Sequence, residues 1–283
     1  MAMLTPATVH ALLDAHGLHP KRSLGQNFLA DPNTARRVVA LADVPSGAPV
    51  FEIGPGLGSL TLALLDAGHD VVALELDPRL AEVLRGVLAE SELGDRVRVE
   101  HGDACTIDLD ALLGPAPSPR ACVSNLPYNV AVPVVMRLLE EAPAVERILV
   151  MVQREVGERL AAGPGEPAYG AVSVKVAYFA EARVVGSVPP TVFVPRPKVD
   201  SALVRLQRRA EPPVTVPSAD DLFTLVRAGF GQRRKMLRRA LVPLLGDDTP
   251  AVLAAAGVEP TARAEALGLD QWAAVARSAA EAA

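Results

Sequence analysis

The chain has 283 residues, half of them hydrophobic, and a net charge of −5; it is long enough for one large core plus a satellite domain and too apolar for disorder. No run approaches the ~18 uncharged apolar residues of a membrane helix, and residues 1–25 lack the basic start, apolar stretch and small-residue cleavage site of a secretory signal, so a cytoplasmic location away from membranes is expected. Two cysteines, Cys105 and Cys122, are too few for a disulfide framework or a zinc site, the apolar neighbours of Cys122 suggest a buried thiol, and His16 and His19 have no third ligand nearby, so no metal is expected.

Short apolar runs predict strands at 50–53, 71–76, 97–101, 121–124 and 148–152, with segments of helical character such as 60–67 and 79–89 between them. Strands alternating with helices predict a parallel sheet, and Gly/Pro punctuation at 45–49, 54–58, 114–119 and 163–167 falls where loops belong. Two more strands, 182–188 and 201–207, lie too close for a helical crossover and read as an antiparallel pair on one sheet edge. The stretch 210–218 holds three prolines, and only helical patterns follow it. The expected organisation is therefore an α/β domain over 1–209 and a small helical domain over 210–283.

The first strand runs into Phe51-Glu52-Ile53-Gly54-Pro55-Gly56-Leu57-Gly58. Glycines at 54, 56 and 58 let the backbone turn sharply and approach a nucleotide closely, although such turns also occur as plain structure. The spacing departs from the dinucleotide pattern G-x-G-x-x-G, and Glu52 precedes it. That carboxylate would repel a pyrophosphate but not the ammonium and sulfonium of S-adenosylmethionine. The next strand ends in Leu74-Glu75-Leu76-Asp77, where Glu75 can accept from both ribose hydroxyls. The one after ends in His101-Gly102-Asp103-Ala104, where Asp103 is either a turn residue or an acceptor for the adenine amino group.

The fourth strand ends in Ser124-Asn125-Leu126-Pro127-Tyr128-Asn129. Methyl transfer to an exocyclic amine needs acceptors for the N–H groups, a flat surface for the base and in-line placement. Asn125 and the Leu126 carbonyl offer the acceptors, Pro127 stiffens the turn and Tyr128 supplies a stacking face. A Pro-Tyr turn with Asn as a cap accounts for Asn125 and Pro127 but gives no reason for the ring.

Asn125-Leu126-Pro127-Tyr128, with Gly25-Gln26-Asn27-Phe28-Leu29 upstream and Phe193-Val194-Pro195-Arg196-Pro197-Lys198-Val199-Asp200-Ser201 downstream, closely resembles the bacterial RsmA/KsgA family. Arg233-Arg234-Lys235-Met236-Leu237-Arg238 and Arg263-Ala264-Glu265 extend the likeness into the C-terminal domain. The resemblance implies a Rossmann-like class I methyltransferase that uses S-adenosylmethionine and dimethylates two adjacent adenosines near the 3′ end of 16S rRNA. The partner would be the small ribosomal subunit or its precursor, with a role in subunit biogenesis, and nothing demands more than a monomer. By the same resemblance, Asn27 and Leu29 would line the cofactor pocket and Gly54 would approach the methionine part. Glu75 would hold the ribose, Asp103 the adenine, and Asn125 would stand between cofactor and target. Phe193 would cover the base opposite Tyr128. The segment 1–20 reads as an extension beyond the family pattern.

Charge is unevenly spread: residues 1–110 carry 8 basic and 16 acidic side chains, whereas 183–239 carry 12 basic and 4 acidic. Arg227, Arg233, Arg234, Lys235, Arg238 and Arg239 recur at helical spacing and read either as a face toward phosphates or as solvated surface, while Arg196 and Lys198 flank the proposed base pocket. Two other readings stand beside the first. One is a large-subunit (23S) adenine methyltransferase of the antibiotic-resistance type, and the other is a largely non-catalytic assembly factor on the same fold.

Overall fold

A computed structural model of the chain describes residues 3–21, 24–114 and 120–282; most of the loop expected at 114–119 lies outside the described residues. In chain order the elements are α1 (Pro6–Ala15), β1 (Phe28–Leu29), α2 (Pro32–Ala42), β2 (Val50–Ile53), α3 (Ser59–Asp66), β3 (Val71–Glu75), α4 (Pro78–Ala89), β4 (Val97–His101), α5 (Leu109–Leu113), β5 (Arg120–Asn125), α6 (Ala131–Glu141) and β6 (Val145–Gln153). They continue with α7 (Arg154–Ala161), α8 (Ala171–Phe179), β7 (Ala180–Val188), β8 (Phe193–Val194), β9 (Ser201–Arg208), α9 (Ala219–Gly231), α10 (Leu237–Ala240), α11 (Val242–Leu245), α12 (Thr249–Ala255) and α13 (Leu269–Ala282). Three helices start alike. Thr5, Asp31 and Asp77 each turn a side-chain oxygen onto an N–H of the first turn, and a proline follows that has no N–H to satisfy.

Seven strands form one sheet in the order β4-β3-β2-β5-β6-β9-β7. From β4 through β6 the neighbours are parallel, as β–α alternation requires. The antiparallel β9 closes on β6, and β7 lies beyond it on the edge, so the two late strands are neighbours on one edge. The chain winds outward from β2 to β4 and then returns to β5 on the other side of β2. The crevice at that reversal, over the carboxyl ends of the strands, is where open α/β sheets bind ligands. A separate two-residue ladder joins β1 to β8, Leu29 opposite Phe193.

The chain divides into two compact units, Met1–Gly157 with Ala182–Arg208, and Glu158–Glu181 with Arg209–Ala283. In the first, the core is built from the sheet with α2, α3 and α4, and it also takes in Leu4, Val9, Leu13 and Leu18. The N-terminal residues around α1 are therefore part of this core and not a loose extension. The second unit is helical, but it begins earlier than the proline-rich stretch suggests. Tyr169, Val174 and Tyr178 bury their side chains with Leu222, Phe223, Val226 and Trp272. Val174 and Tyr178 are four residues apart on α8 and so share one face. The chain leaves the sheet after α7 starts, contributes α8 to the helical core, and returns for β7 and β9. Trp272 is fully buried against Gly229, where a Cβ would come within 2.5 Å of the indole. No helix among the described residues is long and apolar enough to cross a membrane.

Candidate active site

The carboxyl ends of β2, β3, β4 and β5 open onto a cleft of about 280 Å³ in the α/β unit. Asn27, Leu29, Glu52, Gly54, Gly56, Glu75, Leu76, Asp103, Asn125, Leu126, Pro127 and Tyr128 all line it. The parallel sheet brings together residues a hundred positions apart because each strand ends at the same edge.

Glu75 is buried, and its carboxylate accepts from the Gly56 N–H at 3.0 Å and the Asp77 N–H at 3.0 Å. It thus locks the glycine turn to the end of β3. A carboxylate has about four acceptor positions, so capacity remains for hydroxyl donors in the cleft. Burial raises its pKa against these backbone hydrogen bonds. Glu52 lies deeper. Burial pushes its carboxyl up to about 8, opposed by the Thr61 hydroxyl that donates to it at 2.7 Å, while the Glu75 charge adds to the rise. The buried acidic group of Glu75 favours a cationic ligand and opposes an anionic one, while Glu52, mostly protonated at neutral pH, adds a polar but uncharged group. Leu76, the next residue, is 45% exposed and offers the cleft an apolar surface beside Glu75. The donor set and this surface fit a nucleoside that carries positive charge.

Asp103 is half-buried and accepts from the Cys105 N–H at 2.8 Å, so it is both a turn residue and a cleft residue. Asn125 donates through Nδ2 to the Asn27 carbonyl at 3.2 Å, which leaves Oδ1 as its acceptor. Leu126 is buried and its N–H donates to Met151 at the end of β6. Tyr128 is half-buried, with its hydroxyl 2.8 Å from Ser201 Oγ. The loop also comes close to the glycine turn: a Cβ added at Gly54 would lie 3.4 Å from Pro127 Cδ. Gly25 packs more closely still, with a positive φ and a would-be Cβ 2.8 Å from Asn129 Oδ1.

Several sequence expectations change. Gly58 does not line the cleft; it caps α3 with a φ of 97°, and a Cβ there would meet Leu84 at 2.6 Å, so it serves the approach of α3 to α4. Phe193 is buried and not exposed in the cleft as a second stacking face would be. It is 3% exposed, belongs to the core and is not among the cleft-lining residues, although its partner in the β1–β8 ladder, Leu29, is. The six C-terminal cations do not share one helix. Arg227 is on α9, which ends at Gly231, Arg233–Lys235 form a turn closed by Lys235 N–H to Gln232, and Arg238 and Arg239 are on α10. The break follows from Leu237 and Arg238, whose N–H groups donate to Ala262 and Pro260 and not back along α9. All six are exposed, as are Arg196 and Lys198. Arg233 is held by the Pro167 carbonyl and Glu265.

Cys122 is buried as expected, its thiol pushed up to about 12 by burial. Among the described residues no group of three His, Cys, Asp or Glu is placed to hold a metal. Sequence reasoning missed Lys21, whose Nζ reaches the buried Asp77 at 2.8 Å. It also missed Arg137, which clamps the carbonyls of Ala104 (2.7 Å) and Ile107 (2.8 Å) around Asp103. Neither has a local signal, since both act on segments distant in the chain.

A family model described as ribosomal RNA adenine dimethylase matches residues 17–281. The ribosomal RNA small subunit methyltransferase A of Thermobifida fusca is 50% identical over 279 residues, covering 97% of this chain and 95% of that protein. The protein of the same description from Cutibacterium acnes is 47% identical over 288 residues, covering 99% of this chain and 95% of its own length. The N-terminal residues are therefore shared with such relatives. Among solved structures, the 23S rRNA methyltransferase ErmE aligns with a TM-score of 0.67 and 30% identity over 89% of this chain and 99% of that one. A dimethyladenosine transferase from Plasmodium falciparum shares the fold, with a TM-score of 0.71 and 23% identity over 88% and 95% of the two chains.

Proposed function

Because the chain belongs to the ribosomal RNA adenine dimethylase family, we propose that it transfers methyl groups from S-adenosylmethionine to N6 of two adjacent adenosines near the 3′ end of 16S rRNA in the small ribosomal subunit. The fold is the Rossmann-like α/β fold of class I methyltransferases. The observation that carries the proposal is that the glycine turn at Gly54 and the Asn125–Tyr128 loop line one cleft, so close that a Cβ added at Gly54 would lie 3.4 Å from Pro127 Cδ. The element suited to the methyl donor lies beside the element suited to the acceptor amine.

S-adenosylmethionine, when bound, supplies a methyl group on a positively charged sulfur. Glu75 would hold the ribose hydroxyls, Asp103 the adenine amino group and Leu76 the flat of the ring, while Asn27, Leu29, Gly54 and Gly56 would form the walls. Glu52, mostly protonated at neutral pH, adds a polar but uncharged floor to the cleft. Asn125 Oδ1 and the Leu126 carbonyl accept the two N–H bonds of the target amine and so aim its lone pair. Tyr128 stacks on the extruded base, which offsets part of the few kcal/mol lost on unstacking. Catalysis is orientation and electrostatics, because the amine is already a neutral nucleophile and loses its proton to solvent only after the methyl group has been transferred. One chain carries all of these residues, which supports action as a monomer.

The relatives named as small-subunit enzymes are 47–50% identical to this chain, against 30% for ErmE, which favours the small-subunit substrate. The intact Glu75, Asp103, Asn125 and Tyr128 favour catalysis over assembly alone. The site assignment is tested by Asn125→Ala. Methyl transfer to under-methylated small subunits is expected to vanish while the affinity for S-adenosylmethionine, measured by calorimetry, stays within about tenfold. Wild-type turnover in that variant would remove Asn125 from the reacting centre.

A further inference from the structure

Tyr128 sits three residues beyond the end of β5, on a loop, and its ring can turn about two side-chain torsions. A ring that must present one face to a base needs a restraint at its far end. The structure has one: the phenol oxygen is 2.8 Å from Ser201 Oγ. Ser201 is fully buried and is the first residue of β9, paired in register with Gln153 of β6. The residue before it is tied as well, since the Asp200 carbonyl accepts from the Arg154 N–H at 3.0 Å. The Ser201 hydroxyl is thus placed by the sheet itself and has a single short torsion of its own.

We propose that Ser201 is a positioning residue that sets the plane of the Tyr128 ring against the target base. The segment 195–200 runs straight into it and carries the exposed Arg196 and Lys198. Cations suited to the RNA backbone and the anchor of the stacking ring therefore lie on one short stretch of chain. Burial raises the Tyr128 phenol pKa, which keeps its proton in place for this hydrogen bond.

The proposal rests on the reading of the Asn125–Tyr128 loop as the acceptor site, and two measurements separate them. The chain has three tyrosines, so the protein labelled with 3-fluorotyrosine gives three fluorine resonances, and Tyr128→Phe assigns that of Tyr128. In Ser201→Ala the Tyr128 resonance alone is expected to shift and narrow as the ring is released; an unchanged resonance overturns the proposal whatever the substrate proves to be. In methyl transfer to under-methylated small subunits, Ser201→Ala and Tyr128→Phe are each expected to lower kcat about tenfold, the loss of roughly one buried hydrogen bond. KM for S-adenosylmethionine should stay within about twofold, and the double variant should be no slower than either single one. Additive losses, or a loss of cofactor binding in Ser201→Ala, would make Ser201 a structural residue only. An inactive wild type with a shifted resonance would instead refute the acceptor-site reading and leave the anchor standing.

Discussion

Glu52 shows how a single side chain can serve a site at the expense of the fold. Its carboxyl is raised to about 8 by burial, so the folded chain binds a proton there that the unfolded chain releases near 4.5. The stabilising contribution of that proton is full below 4.5 and is lost as the pH rises through 8. Glu52→Gln keeps an acceptor for Thr61 and removes the titration. The variant is expected to melt with the wild type near pH 4.5 and to be more stable by a few kcal/mol at pH 8; calorimetric melting at the two pH values checks it. An advantage independent of pH would mean that the residue does not titrate in the fold. Glu52, Glu75, Asp103 and Asn125 were legible because each stands at the end of an apolar run. The packing of Gly58 against Leu84 and the burial of Phe193 beside β1 are not legible, because those partners are remote in sequence.

The elements themselves were readable where the chain punctuates them. The glycine turn and the strand runs mark the α/β unit, whereas α1 and α2, with their Thr-Pro and Asp-Pro starts, were not predicted. α8 was not assigned to its unit, since nothing local says which core a short, mostly apolar helix joins. α6 shows a further consequence of the topology. It follows the Asn125–Tyr128 loop and carries Arg137, whose guanidinium pairs with Glu141 and holds the carbonyls of Ala104 and Ile107. The loop beneath the proposed adenine pocket is thus fastened to the helix behind the acceptor loop. Lysine cannot reproduce that fork. In Arg137→Lys, affinity for S-adenosylmethionine is expected to fall several-fold, about the effect of one or two hydrogen bonds, with faster amide exchange at 104–107. Unaltered exchange there would show that the clamp does not hold the loop.

Across the whole molecule, acidity gathers in the first 110 residues and basicity in 183–239. The basic stretch is shared between the two units, with Arg196 and Lys198 in the first and Arg227 to Arg239 in the second. Arg233 is engaged by Pro167 and Glu265, so Arg234 and Lys235 are the cleaner probes of an RNA-facing surface. Changing both to Gln should weaken binding to the small subunit and reduce the salt slope by roughly one to two, near 0.7–0.9 for each phosphate that is no longer neutralised. An unchanged slope would move the RNA surface to other residues.

Substrate and reaction are tested together by incubating the purified protein with S-adenosylmethionine and under-methylated small subunits, with large subunits in parallel, and mapping modified adenosines by nuclease digestion and mass spectrometry. Dimethyladenosine is expected at two adjacent positions near the 3′ end of the small-subunit RNA, with none in the large subunit. Modification of the large-subunit RNA, or binding to either particle without modification, would contradict the proposed function.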